Sequence, residues 1–170
     1  PNEWNTEINV SIESWFQDLS VILESGPLLI IDYMLKANSY YSPKRNNGTA
    51  LAYKSQIASS NLLFEPGFWD ITSHLCIEML EYYSQKYGFK VLGHVRQGEA
   101  LLSLGLANRL NSLRNLPKDQ LHIALERREH LLRLVDPLCL GEFRWMALQK
   151  SDSNNSKHNN LKTNFLEFPD

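Results

Sequence analysis

The sequence predicts an α/β fold, because strand patterns and helix patterns alternate along the chain. Four consecutive large apolar residues, 28–31, follow a glycine and a proline and suit a strand that is buried on both faces. Residues 89–95 alternate in a second, less deeply buried strand pattern. Between the two, apolar residues recur at steps of three and four, which predicts helices. The sequence therefore predicts strands near residues 28–32 and 90–95, and a third strand pattern follows at 143–148.

Length and composition fit a globular protein without an extreme charge. The chain has 170 residues, 43% of them apolar, and a formal net charge of -2. We expect one domain with a real core and no bulk affinity for nucleic acid. Cys76 and Cys139 form no CxxC pair, so we expect no metal site and two reduced thiols in a cytosolic compartment. No apolar run approaches the ~20 residues of a membrane span.

The first 26 residues predict an extended segment followed by a helix. Residues 1–13 suit a short edge strand or an extended lead-in, and Ser14 with Gln17 fits a capping box. Gly26 suits the position just after the helix, where a positive φ costs least. The expected apolar face of this helix comprises Trp15, Leu19, Ile22 and Leu23.

Asp32 ends the apolar run, and Tyr33 follows it. A buried carboxylate is costly unless it is paired, and open α/β sheets bind ligands outside the carboxyl ends of their parallel strands. Both residues are therefore candidates for a site, with a turn-capping role for Asp32 as the alternative. Residues 40–48 read as a loop, in which Lys44 and Arg45 either meet an anionic group or form a solvated pair.

Residues 49–88 predict a short element, a turn and a helix. Residues 49–53 suit a short strand or a helical turn, and Pro66-Gly67 is a turn signal, because proline fixes φ and glycine accepts a positive φ. Apolar residues between Cys76 and Tyr87 step by three and four, which predicts a helix that ends at the following glycine.

Four polar residues lie between this turn and this helix: Asp70, Thr72, Ser73 and His74. Asp70 and Thr72 are candidates for the N-cap, which contributes ~1 kcal/mol to helix stability. His74 stands beside the expected helix start, where a packed or hydrogen-bonded histidine is the alternative to a catalytic one.

The second half of the chain predicts a helical cluster and a closing strand. Residues from Gln97 onward are helical, Gly105 interrupts the pattern, and Pro117 begins a helix that runs to about Leu134. An apolar strand follows at 143–148. The expected apolar face of the last helix comprises Leu121, Leu125, Leu131, Leu132 and Val135.

The polar end of the chain sets the expected domain boundary. Residues 150–164 are rich in Ser, Asn and Lys and cannot bury enough apolar surface to offset the ordering entropy, so we expect disorder there. Residues 165–169 are expected to dock weakly on the domain. The α/β domain should therefore span residues 1–149, with residues 150–170 as a tail.

Several common motifs are missing from the sequence. It contains no GxGxxG or GxxxxGK[ST] phosphate-binding loop and no GxSxG nucleophile elbow. It also contains no HExxH motif or clustered His and Cys set that indicates a metal. These absences leave no support for a nucleotide-cradling loop, an α/β-hydrolase or a metalloenzyme.

Five short segments occur in an order that resembles the MidA-type methyltransferases. The resemblance covers roughly residues 4–149, and no single motif is diagnostic by itself. Ala50 and Ser73 replace a larger apolar residue and an alanine that are more usual there. The matching segments are Leu29-Ile30-Ile31-Asp32-Tyr33, Gly48-Thr49 with Ala52-Tyr53, Pro66-Gly67 with Asp70-Ile71-Thr72-Ser73-His74, Gln97 with Leu101-Leu102-Ser103-Leu104-Gly105, and Leu140-Gly141-Glu142-Phe143.

The resemblance implies a Rossmann-like methyltransferase that uses S-adenosylmethionine, with parallel strands and an antiparallel closing strand. Together with the close approach of Gly141 to that closing strand, it leads us to expect that the strands near 28–32, 90–95 and 143–148 share one sheet, with the last antiparallel to its neighbours. Its members include a mitochondrial protein arginine methyltransferase that is needed for complex I assembly. The family's glycine-rich cofactor loop and its ribose-binding acidic residue lie upstream of anything that matches this chain. The chain therefore resembles the C-terminal half of such an enzyme, and alone it is expected to be inactive.

An arginine acceptor would need carboxylates that orient the guanidinium and accept its proton. The resemblance and the fold make Asp32 and Asp70 the candidates for this role. Tyr33 and His74 are expected to shape or polarise the acceptor pocket, although each also has a structural alternative. Hydrogen bonds to the substrate are expected from Thr49, Thr72 and Gln97.

Two functional hypotheses remain open from the sequence. One is the substrate-side part of a methyltransferase that acts on a protein, in the bacterial cytoplasm or in mitochondria. The other is a non-catalytic protein-interaction or assembly-factor module. If upstream strands are missing from the chain, the apolar edge or face that they leave would favour a homodimer or aggregation.

Overall fold

The structure is a computed structural model that describes residues 4–55, 57–151 and 164–166. The chain forms two units, and each unit consists of two segments of the chain. The first unit comprises Pro1–Ile22 and Asp32–Gly88, and the second comprises Leu23–Ile31 and Phe89–Asp170. The expected tail falls largely outside the described residues.

The described residues include six α-helices and eight strands. The helices are α1 (Ile12–Ile22), α2 (Ala37–Tyr40), α3 (Ile77–Lys86), α4 (Gln97–Ser103), α5 (Leu106–Ser112) and α6 (Leu121–Arg133). The strands are β1 (Gly26–Asp32), β2 (Met34–Leu35), β3 (Leu51–Lys54), β4 (Ile57–Ser59), β5 (Asp70–Thr72), β6 (Leu75–Cys76), β7 (Phe89–Arg96) and β8 (Arg144–Lys150). Short 3₁₀ turns lie at Pro43–Arg45, Leu113–Asn115, Lys118–Gln120 and Asn164–Leu166.

Helix α1 begins two residues before the predicted start. The Ser14 hydroxyl donates to the Ser11 carbonyl and does not cap the helix, so the predicted capping box is wrong. The Asn9 side chain instead accepts the Ser11 N–H at 3.2 Å. The earlier start brings Ile12 onto the buried face with Phe16, and the predicted face is wrong in part because Trp15 and Ile22 are exposed.

The first unit contains two small sheets. Strand β3 lies between β4 and β5 and pairs antiparallel with both, whereas β2 and β6 pair in parallel. The predicted loop at 40–48 is wrong only at Tyr40, which ends α2; its other residues contain the 3₁₀ turn Pro43–Arg45 and no α-helix or strand. The predicted capping roles of Asp70 and Thr72 are also wrong, because β5 pairs with β3 and Cys76 is the N-cap residue of α3.

The second unit holds a sheet with the strand order β1-β8-β7. Strands β7 and β8 pair antiparallel from Phe89↔Lys150 to Arg96↔Arg144, with a shift between Val91 and Gly93. The predictions of a shared sheet and of this antiparallel pairing are confirmed. The prediction that β1 is buried on both faces is wrong, because β1 is an edge strand of the described sheet and its burial alternates.

Helices α4, α5 and α6 form a cluster within the second unit, as the sequence predicts. Gly105, at φ 92°, separates α4 from α5, and Pro117 precedes the turn that leads into α6. No side chain of α6 is buried, so its predicted apolar face is only partly covered, since α5 and short 3₁₀ turns are its partners. The leucines that remain exposed are Leu121, Leu125 and Leu132.

Phe165 packs into the second unit beside the sheet. It forms a buried cluster with Ala100 and Ala147, and its ring lies edge-on to Trp145 at a centroid distance of 5.8 Å. The predicted docking of residues 165–169 is therefore confirmed for Phe165 and its neighbour Leu166. None of the described helices has the length and apolarity to traverse a lipid bilayer.

Candidate functional site

The parallel pair of β2 and β6 brings Tyr33 and His74 together. Each residue immediately precedes its strand, and the Leu75 N–H donates to the Tyr33 carbonyl at 2.8 Å. This backbone bond extends the ladder that pairs Met34 with Leu75. The two rings lie with centroids 5.6 Å apart and planes tilted by 49°. Two of the predicted site residues are therefore in direct contact.

Asp32 is the last residue of β1 and stands directly before this pair. Its Oδ1 accepts the Tyr33 N–H at 2.7 Å, which is the local bond that the capping alternative predicts. Its side chain is partly exposed. The charge of this carboxylate also favours the protonated form of His74. Asp32 is thus near the Tyr33–His74 pair and carries a structural bond at the same time.

Thr49 connects His74 to a residue that the sequence did not single out. The Thr49 Oγ1 accepts a hydrogen bond from the backbone N–H of His74 at 3.0 Å. The same hydroxyl donates to Oε2 of Glu7 at 3.3 Å. The backbone N–H of Thr49 donates to both Glu7 oxygens, at 2.7 and 2.9 Å, and the Ala50 N–H donates to Oε1. Thr49 itself is buried. Glu7, Thr49 and His74 therefore form one hydrogen-bonded chain.

Burial of Glu7 acts to raise its pKa, but the hydrogen bonds from Thr49 and Ala50 hold the pKa below its ordinary value. The carboxylate is therefore ionised at neutral pH. Tyr40, which is buried, donates its hydroxyl to the Glu7 carbonyl at 3.3 Å. Burial, followed by the Glu7 charge, raises the pKa of this phenol.

The pKa of His74 is lowered, first by burial and then by the positive charge of Arg45. Glu7 and Asp32 act in the opposite direction but do not offset these effects. Its Nδ1 is buried and has no hydrogen-bond partner among the residues that the structure describes. At neutral pH the imidazole is therefore uncharged, and one of its nitrogens has a lone pair that can accept a proton.

Arg45 belongs to the loop in which the sequence predicts an anion contact or a solvated pair. Its Nη1 donates to the Ser39 carbonyl at 2.9 Å, and its side chain is partly buried, whereas Lys44 is exposed. The arginine therefore has a partner in the protein and does not form a solvated pair with its neighbour.

The structure does not bring the remaining predicted residues into this hydrogen-bonded chain. Asp70 is exposed on β5 opposite Tyr53, and Thr72 lies opposite Leu51 on the same strand. Gln97 is buried in the second unit and makes three hydrogen bonds with protein groups. It donates to the carbonyls of Leu134 at 3.1 Å and Leu140 at 3.0 Å and accepts from Trp145 at 3.1 Å.

Glu7 is the residue that sequence reasoning missed. Its partners lie 42 and 43 positions later in the chain, and no local pattern marks residues 1–13 as part of a site. Gly48 gives the one indirect signal. At φ +81° it adopts a backbone conformation that favours glycine, and a Cβ there would collide with the Glu7 carboxylate. A glycine beside a buried threonine therefore marks the close approach of another group.

The open grooves of the molecule lie elsewhere. Three such grooves among the described residues lie in the second unit, two between α5 and α6 and one along α4 and α5, and none of the predicted site residues lines them. Leucine and arginine side chains such as Leu113, Arg109 and Arg127 form their walls. The residues that the structure describes include no group of three or more acidic, His or Cys side chains arranged to hold a metal.

A family model matches residues 1–95, which is more than half of the chain, and it is described as "Putative S-adenosyl-L-methionine-dependent methyltransferase". Among curated proteins, no sequence matches. The matched range includes Glu7, Asp32, Tyr33, Thr49 and His74 and excludes Gln97.

Two solved structures share the fold. One is an uncharacterized COG1565 superfamily protein from Burkholderia thailandensis, with a TM-score of 0.75, 23% identity and coverage of 85% of this chain. The other is a COG1565 superfamily member from the same organism, bound to S-adenosyl-homocysteine, with a TM-score of 0.75, 22% identity and the same 85% coverage. The chain spans only 38% and 37% of the lengths of these two proteins.

Proposed function

We propose that this chain, which belongs to the S-adenosyl-L-methionine-dependent methyltransferase family, supplies the acceptor side of a methyl-transfer site. The observation that carries the proposal is the hydrogen-bonded chain Glu7–Thr49–His74, with Tyr33 against the imidazole, inside the range that the family model matches. All of these residues lie in the first unit. An uncharged histidine suits the removal of a proton from an acceptor, and the charges of Glu7 and Asp32 favour the protonated form that results.

The described residues do not by themselves fit the cofactor of this family. S-adenosylmethionine supplies an activated methyl group, and the resemblance to the MidA-type enzymes implies that a glycine-rich loop holds it. The backbone cradle in this unit, at residues 48–50, is filled by the carboxylate of Glu7. We therefore propose that the adenosyl group binds to a part of the enzyme outside this chain. Binding of S-adenosyl-homocysteine by a fold relative of more than twice the chain's length supports this division.

The acceptor-side residues would hold and deprotonate a nitrogen acceptor. The Asp32 carboxylate retains acceptor capacity beyond its bond to the Tyr33 N–H, so it can orient a guanidinium or an amine. His74 is uncharged at neutral pH and can accept the proton that methyl transfer releases. On the resemblance to the MidA-type enzymes, we propose an arginine of a protein as the acceptor and the C-terminal half of such an enzyme as the identity of this chain.

Calorimetry with S-adenosylmethionine tests the division between cofactor and acceptor sides. We expect no binding to this chain below about millimolar concentration, because we propose that the glycine-rich cofactor loop and the ribose-binding acidic residue belong to a part of the enzyme outside this chain. The complete protein that contains the chain should bind in the micromolar range, on the order of typical enzyme substrates. Tight binding by the isolated chain would refute the division. Failure of the complete protein to bind would refute the methyltransferase assignment.

A non-catalytic interaction module is the second candidate, and the exposed face of α6 favours it. Leu121 is 61% exposed and Leu125 57% exposed, on a helix without a buried side chain. Such a face can mark a partner or homodimer surface. Sedimentation of wild type and of a Leu121→Glu, Leu125→Glu variant distinguishes the cases. A monomeric wild type with full methyl transfer in the complete protein would count against this candidate.

A further inference from the structure

We infer that Glu7 is the positioning residue of the acceptor site, because its carboxylate fixes the segment 48–50 from which Thr49 holds His74. The catalytic consequence of this inference rests on the proposed function. The positioning itself is a property of this chain and can be measured without any substrate.

The protein binds the Glu7 carboxylate through backbone N–H groups. Backbone N–H groups of two consecutive residues, Thr49 and Ala50, donate to it, and the Thr49 N–H reaches both oxygens at 2.7 and 2.9 Å. Hydrogen bonds to a charged acceptor are stronger than neutral ones, and successive backbone N–H groups form a typical anion-binding concavity. Glu7 thus satisfies donors that would otherwise be left without a partner in the buried segment.

The backbone at Gly48 allows the Glu7 carboxylate to approach closely. At Gly48, an added Cβ would collide with the Glu7 carboxylate, and the positive φ of +81° already disfavours other residues. The Gly48 N–H donates to the Arg45 carbonyl at 3.0 Å, which ends the preceding 3₁₀ turn. The backbone at this position therefore has a conformation and a clearance that match a bound carboxylate.

The hydrogen bonds through Thr49 have a defined direction. An ionised carboxylate accepts hydrogen bonds and cannot donate them. The Thr49 hydroxyl proton must therefore point toward Oε2 of Glu7, at 3.3 Å, which leaves an oxygen lone pair for the His74 N–H at 3.0 Å. Glu7 thus sets the polarity of the bridge that holds the backbone of His74.

Hydrogen bonds on both sides of His74 also constrain its imidazole. Thr49 holds the N–H of His74, and the Tyr33 carbonyl holds the N–H of Leu75, so the backbone of His74 is fixed on both sides. This placement keeps the imidazole in contact with the Tyr33 ring. A displacement of about 1 Å in such a group can reduce the rate of an enzyme about 100-fold.

Nuclear magnetic resonance of the histidine side chains tests the positioning directly in this chain. Spectra of wild type, Glu7→Gln and Thr49→Val should show the His74 imidazole signals moving toward random-coil positions in both variants. Thr49→Ser keeps the hydroxyl and should retain the wild-type signals. Glu13→Gln is the matched control, because Glu13 also anchors an N-terminal segment through Lys86 and Tyr87, in the same unit. It should leave the His74 signals unchanged.

The groups that act on His74 electrostatically are Arg45, Glu7 and Asp32. Loss of the Glu7 charge alone should lower the His74 pKa without changing the ring contact. Thr49→Val keeps that charge, so a displaced His74 signal in this variant reports position and not charge. If Glu7→Gln does not fold, the comparison of Thr49→Val with Thr49→Ser decides the inference. Wild-type His74 signals in folded Glu7→Gln or Thr49→Val would overturn it.

Single-turnover methylation by the complete protein tests the catalytic consequence. Glu7→Gln should reduce the rate about 100-fold, with cofactor affinity unchanged, whereas Glu13→Gln should retain the wild-type rate. An unchanged rate in Glu7→Gln, with displaced His74 signals, would overturn the role of this positioning in catalysis. A wild-type protein without methyl transfer would refute the proposed function, and the magnetic resonance result would still decide whether Glu7 positions His74.

Discussion

The carboxylate of Glu7 occupies the space in which a side chain at Gly48 would begin. Gly48 has φ +81°, and the next residue, Thr49, donates its N–H to the same carboxylate. The glycine is therefore required twice, once for its backbone conformation and once for the close approach of an acidic side chain. These two requirements can be separated, because another glycine of the same unit has only the first.

Gly48→Ala should destabilise the first unit more than Gly88→Ala does. Gly88 has φ +83° and no atom within 4 Å of an added Cβ, so its substitution costs only the backbone strain of about 1–2 kcal/mol. Gly48→Ala has the same strain and must also displace Glu7. Urea denaturation of the two variants measures the difference. Equal free energies of unfolding would show that the Glu7 contact does not constrain residue 48.

Glu7→Gln should destabilise the chain at neutral pH by an amount that decreases in acid. Hydrogen bonds from Thr49 and Ala50 hold the pKa of Glu7 below its ordinary value. The folded state therefore binds its proton less readily than the unfolded state does. The resulting stability is fully present above the unfolded pKa of about 4.3, and it is lost as the pH falls through the lower folded pKa.

The measurement is urea denaturation of wild type and Glu7→Gln at pH 7 and at several values below pH 4. The difference in unfolding free energy should be largest at pH 7 and should shrink in the acidic range, because glutamine does not titrate. A difference that stays constant across this range would contradict the role of the ionised carboxylate.

The sequence predicted local elements well where a single pattern spans them. The helix at 76–87 and the strand at 89–95 correspond to α3 (Ile77–Lys86) and β7 (Phe89–Arg96), because periodicity defines both and Gly88 marks the end of the helix. The strand near 28–32 was also found, but its burial was misjudged. A run of large apolar residues has the same appearance in an edge strand, where alternate side chains such as Leu29 stay exposed at 43%.

The candidate site was predictable only in part, for a reason of sequence distance. Tyr33 and His74 were chosen because each lies beside a strand or helix boundary, and the pairing of β2 with β6 brings them together. Glu7 was missed because its partners lie more than 40 residues away. Short strands such as β2 and β5, of two and three residues, also lack enough length to show a periodic pattern.

Gln97→Leu should destabilise the second unit. The side-chain amide bridges the carbonyls of Leu134 and Leu140 and accepts the indole N–H of Trp145. Leucine has a similar size but leaves these buried groups without a partner, at about 1–3 kcal/mol for each group that water does not reach. Denaturant unfolding monitored by tryptophan fluorescence measures the loss, with Gln120→Leu at the start of α6 as the control. A loss no larger than that of the control would contradict this bridging role.

Asp32→Asn distinguishes a catalytic carboxylate from a structural one. In the wild type, Asp32 accepts the Tyr33 N–H at 2.7 Å, and asparagine keeps an oxygen that can accept the same bond. The turn should therefore persist, and the melting temperature should change little. If Asp32 orients the acceptor, single-turnover methylation by the complete protein should fall about 100-fold, the scale for loss of a proton-handling group. Cofactor affinity should stay close to the wild-type value, since the proposal places the adenosyl contacts outside this chain. Asp18→Asn, an exposed aspartate on α1, provides the control for loss of one negative charge in the same unit. An unchanged rate with a lowered melting temperature would leave Asp32 as a capping residue and would make Asp70 the next carboxylate to substitute.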